Sequence, residues 1–189
     1  MPYYYIHDEK QPHLGGNLTC GDPNSYAPSA WDYVINRFAI KSVLDIGAGL
    51  GHSSAYFFNK GCSVIAVDGL ESNCVNAVYP VIKQDMTVAP VVTKVDLVYL
   101  VEFVEHVEPL FLQNILRSMM CGKYALMTHA QPGQGGHHHV NLQPADYWIH
   151  HITQMGFLLL ETDTERIRKL AAQDNAEWLA STGLMFGKP

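Results

Sequence analysis

Hydrophobic positions along the chain alternate between two patterns. Compact apolar runs at 42–46, 63–67, 79–83, 96–101, 123–128, 157–160 and 183–186 have the length and density of strands buried in a sheet. Between them, apolar residues recur at helical spacing over about 27–38, 52–59, 71–78, 109–120, 144–155 and 163–180. In the first of these stretches Trp31, Val34, Ile35 and Phe38 share a face behind Pro28, which suits a first helical turn. Leu110, Ile115, Leu116 and Met119 repeat the pattern, and Pro144 and Gly156 bracket another helix. Strands alternating with helices predict an α/β fold with a parallel sheet and right-handed crossovers. Residues 1–24 carry Pro2, Pro12, Pro23 and Gly15-Gly16 and show no period, so they are expected to form an irregular cap or lid. The remainder, 25–189, is expected to be a single domain, with a Gly/His-rich loop over 130–142.

Composition narrows the picture. With 189 residues and 48% hydrophobic content, the chain can bury one full core. The formal net charge of −6 makes nucleic acid an unfavoured partner, since a long phosphate footprint needs many Lys and Arg contacts. Cys20, Cys62, Cys74 and Cys121 are scattered without a C-x-x-C pair, which argues against a zinc-thiolate site and for a reducing compartment. No apolar run reaches the length of a membrane span.

The chemistry concentrates at strand ends. Val43-Leu-Asp-Ile-Gly-Ala-Gly-Leu-Gly51 runs from a strand into three glycines spaced G-x-G-x-G, which let the backbone turn tightly against a ligand. The next strand, Val64 to Val67, ends in Asp68, an acid placed to hold a ribose diol. An NAD-dependent oxidoreductase is the alternative from another class, but its motif is G-x-G-x-x-G. A cofactor-binding module without turnover is a further alternative.

After the fourth strand comes Glu102-x-x-Glu105-His106. If a helical turn starts at Glu102, these residues share one face and offer an O/O/N ligand set for Mg²⁺, Mn²⁺ or Fe²⁺. His137, His138 and His139 lie in the loop after the fifth strand, which opens at the same sheet edge. One of them can complete a metal shell, and another can take a proton.

These segments together resemble the class I S-adenosylmethionine (SAM)-dependent methyltransferases, over about residues 40–130. Residues 43–51 resemble the family's first motif, Gln84-Asp85-Met86 its adenine-contacting segment, and 96–107 its fourth motif. The resemblance implies a Rossmann-like, mostly parallel seven-stranded sheet. It also implies a SAM pocket formed by Asp45, Gly47, Ala48, Gly49, Gly51, Asp68, Gly69, Asp85, Met86 and Val101. The Glu-x-x-Glu-His string is similar to a metal site in small-RNA 3′-end 2′-O-methyltransferases and ubiquinone-pathway O-methyltransferases. It implies Glu102, Glu105 and His106 as ligands, with one of His137, His138 and His139, represented by His138, as the loop ligand and His106, His137, His138 and His139 as the catalytic candidates. Gly135-Gly-His-His-His-Val-Asn141, followed by Pro144-x-x-Tyr-Trp148, resembles small methyltransferases of surface polysaccharides, including viral glycan-modifying ones. The expected reaction is therefore O-methylation of a sugar or glycan hydroxyl. RNA ribose or a catechol-type small molecule is the alternative acceptor. The expected setting is the cytoplasm, the host's if the chain is viral. Tyr3, Tyr4, Tyr5 and His13 are expected to close over the cofactor or pack on the domain, and Tyr147 and Trp148 to line the acceptor site or join the core.

Overall fold

A computed structural model describes residues 5–189; Tyr3 and Tyr4 lie outside the described residues. The first elements are an antiparallel hairpin, β1 (Tyr5–Asp8) and β2 (Gln11–Leu18). Its turn is closed by the Lys10 N–H donating to Asp8 Oδ1 at 2.8 Å. The sequence reads as irregular here because Pro12 and the glycine pair weaken the strand signal. A two-stranded ribbon tolerates both, since both of its strands are edges.

The domain that follows is built from α1 (Pro28–Phe38), β3 (Ser42–Ile46), α2 (His52–Asn59), β4 (Ser63–Asp68), α3 (Glu71–Asn76) and β5 (Val81–Lys83). It continues with β6 (Val95–Leu100), α4 (Leu112–Met119), β7 (Gly122–Met127), α5 (Ala145–Gln154), β8 (Leu158–Leu159), α6 (Glu161–Gln173), α7 (Glu177–Thr182) and β9 (Leu184–Gly187). The seven-stranded sheet has the order β5-β4-β3-β6-β7-β9-β8. β3, β4, β5, β6 and β7 pair in parallel, whereas β9 runs antiparallel to both β7 and β8. The chain leaves β3 toward β5 and returns to β6 on the other side. The carboxyl ends of β3 and β6 therefore flank a switch point, the place where open α/β sheets bind ligands.

Strand residues alternate between two cores. Leu44, Ile46, Val98, Leu100, Ala125 and Met127 face one core with α4 and α5. Val43, Leu97, Tyr99, Val101 and Leu126 face the other with α1, α6 and α7. In α4, Ile115, Leu116 and Met119 are buried as expected, whereas Leu110 lies before the helix in the turn Pro109–Phe111 and is exposed, and Leu112 takes its place in the core. Trp148 is fully buried in the first core with Tyr147 packed beside it, which places this pair in the packing and not at a binding surface.

Two departures from the expected boundaries have a visible cause. The third apolar run begins at Val81, because Tyr79 turns away to donate its hydroxyl to the Val64 carbonyl at 3.0 Å. The charged stretch over 163–180 is two helices, broken where Asn175 adopts a left-handed φ of 59°. The carboxylate of Asp174 at this break accepts the Ser29 N–H and hydroxyl, each at 2.7 Å, and so ties the break to α1. Among the described residues, no helix is long and apolar enough to cross a membrane.

Candidate active site

A cavity of about 700 Å³ opens at the switch point, within the range of small-molecule and cofactor sites. Asp45, Gly47, Ala48, Gly49, Asp68, Gly69, Asp85, Met86 and Val101 all line it. Gly51 does not: a side chain there would meet Tyr79 at 3.2 Å, so the third glycine serves packing of the turn. Gly47 and Gly49 take left-handed φ values of 73° and 55°, which carry the backbone from β3 around the cavity floor.

Asp68 is held firmly. Its Oδ1 accepts from the Leu70 N–H at 2.8 Å and the Asn73 amide at 3.0 Å. Its Oδ2 accepts from the Gly49 N–H at 2.9 Å. A carboxylate has about four acceptor sites, so Oδ2 retains one for a ligand hydroxyl. Burial raises the Asp68 carboxyl, and those three donors oppose the rise.

The hairpin roofs this half of the cavity. Asn17 and Asn73 exchange amide hydrogen bonds at 3.2 and 3.1 Å, linking β2 to the amide that holds Asp68. His13 Nε2 lies 3.0 Å from Asp85 Oδ2, whose partner oxygen accepts from the Thr87 N–H and hydroxyl. Burial pushes Asp85 upward, but His13 and Thr87 outweigh it and hold the carboxyl below its usual range. Leu14 occupies the space a side chain at Gly69 would need. Neither Asn17 nor Asn73 carries a motif signal. They meet only because the hairpin folds back over α3.

The carboxylate–histidine group is assembled differently from its expected form. Ligand atoms of Glu105, His106 and His139 lie within 4.8 Å of one another. Val104–His106 is a single 3-10 turn, and Glu102 precedes it with a left-handed φ of 53°, so Glu102 does not continue that face. Its backbone N–H donates to Thr128 Oγ1 at 2.8 Å, and that hydroxyl donates back to Glu102 Oε1 at 2.9 Å. His138 also departs from the expected ligand set. Its φ of 47° turns the ring toward Glu108 Oε1, 3.4 Å away, while His139 meets His106 edge-on with ring centroids 5.0 Å apart. The Val140 and Asn141 N–H groups donate to the Glu105 carbonyl at 3.0 and 3.1 Å, pinning the histidine loop over the turn.

Glu105 is fully buried, and among the described residues neither of its carboxylate oxygens has a hydrogen-bond partner; Nδ1 of His106 and Nδ1 of His139 also lack one there. Unpaired buried polar atoms are costly and uncommon, so converging acceptors of this kind fit a cation. Burial, reinforced by the charge of Glu102, pushes the Glu105 carboxyl well up. Burial and the neighbouring histidines hold His106 down at about 3, so its ring is a neutral ligand at physiological pH. His137 and His139 line the cavity, as do His106 and Glu102.

Asp45 is buried beneath the turn, where the hydroxyls of Ser53 and Ser54 both donate to its Oδ2 at 2.6 Å. Burial raises its carboxyl from 3.8 to about 6 against those two hydrogen bonds, and the charge of Asp68 adds to the rise. Between these values the folded protein binds more protons than the unfolded chain, so this group's contribution to stability falls as pH rises through that window. Asp45→Asn is therefore expected to match the wild type near pH 4 and to exceed it by up to roughly 3 kcal/mol at pH 7.5. Denaturant titrations of both proteins at the two pH values test this. Taking the difference between them cancels the opposing histidines, and a pH-independent difference would rule out a raised Asp45.

Sequence reasoning also passed over Trp178. It lines the cavity, and its indole N–H donates to Asp22 Oδ2 at 2.7 Å. A tryptophan in a short charged helix carries no signal of its own; the packing of α7 beside the Pro23–Ser25 turn brings it to the cavity.

No family model matches the chain, and no curated protein does. Solved structures do match. A SAM-dependent methyltransferase from Archaeoglobus fulgidus aligns with a TM-score of 0.61 and 18% identity, over 89% of this chain and 96% of that one. The methyltransferase domain of bacterial CtHen1-C aligns at 0.59 and 16%, over 88% and 99%. Magnesium protoporphyrin IX methyltransferase from Synechocystis PCC 6803, solved with bound SAM, aligns at 0.54 and 18%, over 70% and 69%. At these identities the likeness is one of architecture: the chain has the Rossmann-like fold of the SAM-dependent methyltransferases.

Proposed function

We propose that the chain is a SAM-dependent O-methyltransferase acting on a hydroxyl of a sugar or glycan, with a divalent cation held by Glu105, His106 and His139. The observation that carries this reading is a single cavity reaching from Asp68 and Asp85 to His106 and His139. It offers a donor site and a hydroxyl-activating site in one enclosure. When bound, SAM supplies a methyl group on a sulfonium, and Mg²⁺ or Mn²⁺ supplies a Lewis acid that makes a hydroxyl more acidic.

The chain's own groups do the rest. Asp68 holds a ribose hydroxyl through its free acceptor site, and Asp85 and Met86 bound the adenine region. Asp45, through Ser53 and Ser54, fixes the start of α2 beneath the glycine turn. His137 Nε2 sits 2.9 Å from the Pro12 carbonyl. A carbonyl only accepts, so Nε2 carries the proton and Nδ1 keeps a lone pair. The acceptor hydroxyl proton passes to that Nδ1 as its oxygen bonds the methyl carbon and the carbon–sulfur bond breaks. The hairpin excludes water from the donor half.

Charge separates this reading from the NAD-dependent alternative. Among the described residues lining the cavity there is no Lys or Arg. A pyrophosphate would face Asp45 and Asp68 without a counter-charge, whereas a sulfonium is attracted by both.

Incubation with SAM labelled in its methyl group and a panel of neutral glycosides, catechols and RNA tests the proposal. Label is expected in a glycoside, with loss of transfer in chelator and recovery on adding Mn²⁺ or Mg²⁺. Undiminished transfer in chelator would remove the metal and leave histidine base catalysis. Absence of SAM binding would overturn the assignment entirely.

A further inference from the structure

One wall of the cavity lies apart from the residues assigned above to the donor. It consists of the turn Pro23–Ser25 with its preceding Asp22, Trp178 on α7, Asp174 at the α6–α7 break, and Glu102. Asp22 is the hub: Oδ1 accepts the Asn24 N–H at 2.9 Å, and Oδ2 accepts the Ser25 hydroxyl at 3.0 Å and the Trp178 indole N–H at 2.7 Å. The indole is thereby locked by its polar edge. Asp174 is fixed just as firmly by the Ser29 N–H and hydroxyl.

All of these partners are neutral. Away from the cavity four acids pair with cations: Asp163 with Arg37, Asp32 with Lys60, Glu71 with Lys83 and Asp96 with Lys123. None of those eight residues lines the cavity. Asp22 and Asp174 thus place rigid negative charge, without a counter-ion among the described residues, beside an anchored aromatic ring, while burial pushes the Glu102 carboxyl up to about 7. An incoming phosphate or carboxylate would meet like charge in a partly desolvated space, which repels strongly. An uncharged polyol instead finds carboxylate acceptors for its hydroxyls and a flat apolar surface for its ring.

We propose that this wall is the acceptor subsite, and that it admits an uncharged ring polyol, a neutral sugar unit, while rejecting the same sugar bearing phosphate. The inference rests on the methyl-transfer reading for its position but not for its selectivity. The test is calorimetric binding of a methyl hexopyranoside, the matching hexose phosphate and a short ribo-oligonucleotide to the protein saturated with S-adenosylhomocysteine, beside transfer of labelled methyl to each. The neutral glycoside is expected to bind about 100-fold or more tightly than the phosphate. Asp22→Asn, which keeps the size of the side chain, is expected to narrow that ratio about 10-fold. Equal or tighter binding of the phosphate or the oligonucleotide, or no binding of any probe, overturns the proposal. Binding with the expected preference but without methyl transfer supports the selectivity and refutes the reaction.

Discussion

Glu105→Gln is expected to lower methyl transfer about a hundredfold to a thousandfold while making the metal-free protein more stable. Two effects of opposite sign arise at one carboxylate. In the folded protein without metal, Glu105 is buried with both oxygens unpartnered among the described residues. Burial pushes that carboxyl well up, so at neutral pH the fold must either protonate it or carry its charge without a partner, and a neutral amide of the same size removes that cost. With metal, the same charge is the anionic ligand of the group formed with His106 and His139. Its loss removes several kcal/mol of Lewis-acid stabilisation in the transition state, and each ~1.4 kcal/mol is a factor of ten in rate. Melting temperatures with and without Mn²⁺, measured beside the labelled-methyl assay, separate the two. The wild type should gain stability from Mn²⁺ and the variant should not. His138→Ala should behave like the wild type, because that ring faces Glu108. A variant that is both active and stabilised by Mn²⁺ would refute the site.

Replacing Asp68 should act on the donor half alone. A hydrogen bond from a ribose hydroxyl to the one free acceptor site of this carboxylate is worth about 1.5–3 kcal/mol, so Asp68→Ala should weaken SAM binding roughly 10-fold to 100-fold. It also strands the Gly49 and Leu70 N–H groups and the Asn73 amide, and some loss of stability accompanies it. Asp68→Asn keeps the volume and one acceptor, so it distinguishes lost recognition from a damaged pocket. It should stay folded and still bind SAM at least about 10-fold more weakly. Calorimetry with SAM and S-adenosylhomocysteine, alongside thermal melts, measures both. Unchanged affinity in a folded Asp68→Asn protein would disprove the ribose assignment.

How far each feature was legible follows from the range of the interaction that makes it. The central strands read correctly because a strand buried on both faces must be apolar along its length, as Val43–Ile46 and Leu97–Leu100 are, except where Asp45 is held by two serines. The hairpin did not read, because a ribbon with two edges imposes no apolar alternation. Its attachments, Asn17 to Asn73 and His13 to Asp85, join residues 56 and 72 positions apart. The direction of β9 was equally invisible: an apolar run of four residues pairs with β7 in either sense.

The site divides along the same line. The G-x-G-x-G turn, Asp68, Asp85 and the carboxylate–histidine string were visible because each is a local solution, a glycine or acid required at a strand end, whatever the rest of the chain does. Which histidine of three faces His106 was not visible, since three identical neighbours differ only in backbone angles. A left-handed φ at His138 and two hydrogen bonds to the Glu105 carbonyl settle that choice. Glu102 left the expected ligand face for the same reason, its own left-handed φ. The acceptor wall lies furthest from the sequence. Asp22 and Trp178 stand 156 residues apart and meet only once α7 packs beside the Pro23–Ser25 turn. Local order along the chain specifies strands, turns and the acids at their tips. The enclosure in which those acids act is set by packing between distant segments, and no local pattern encodes it.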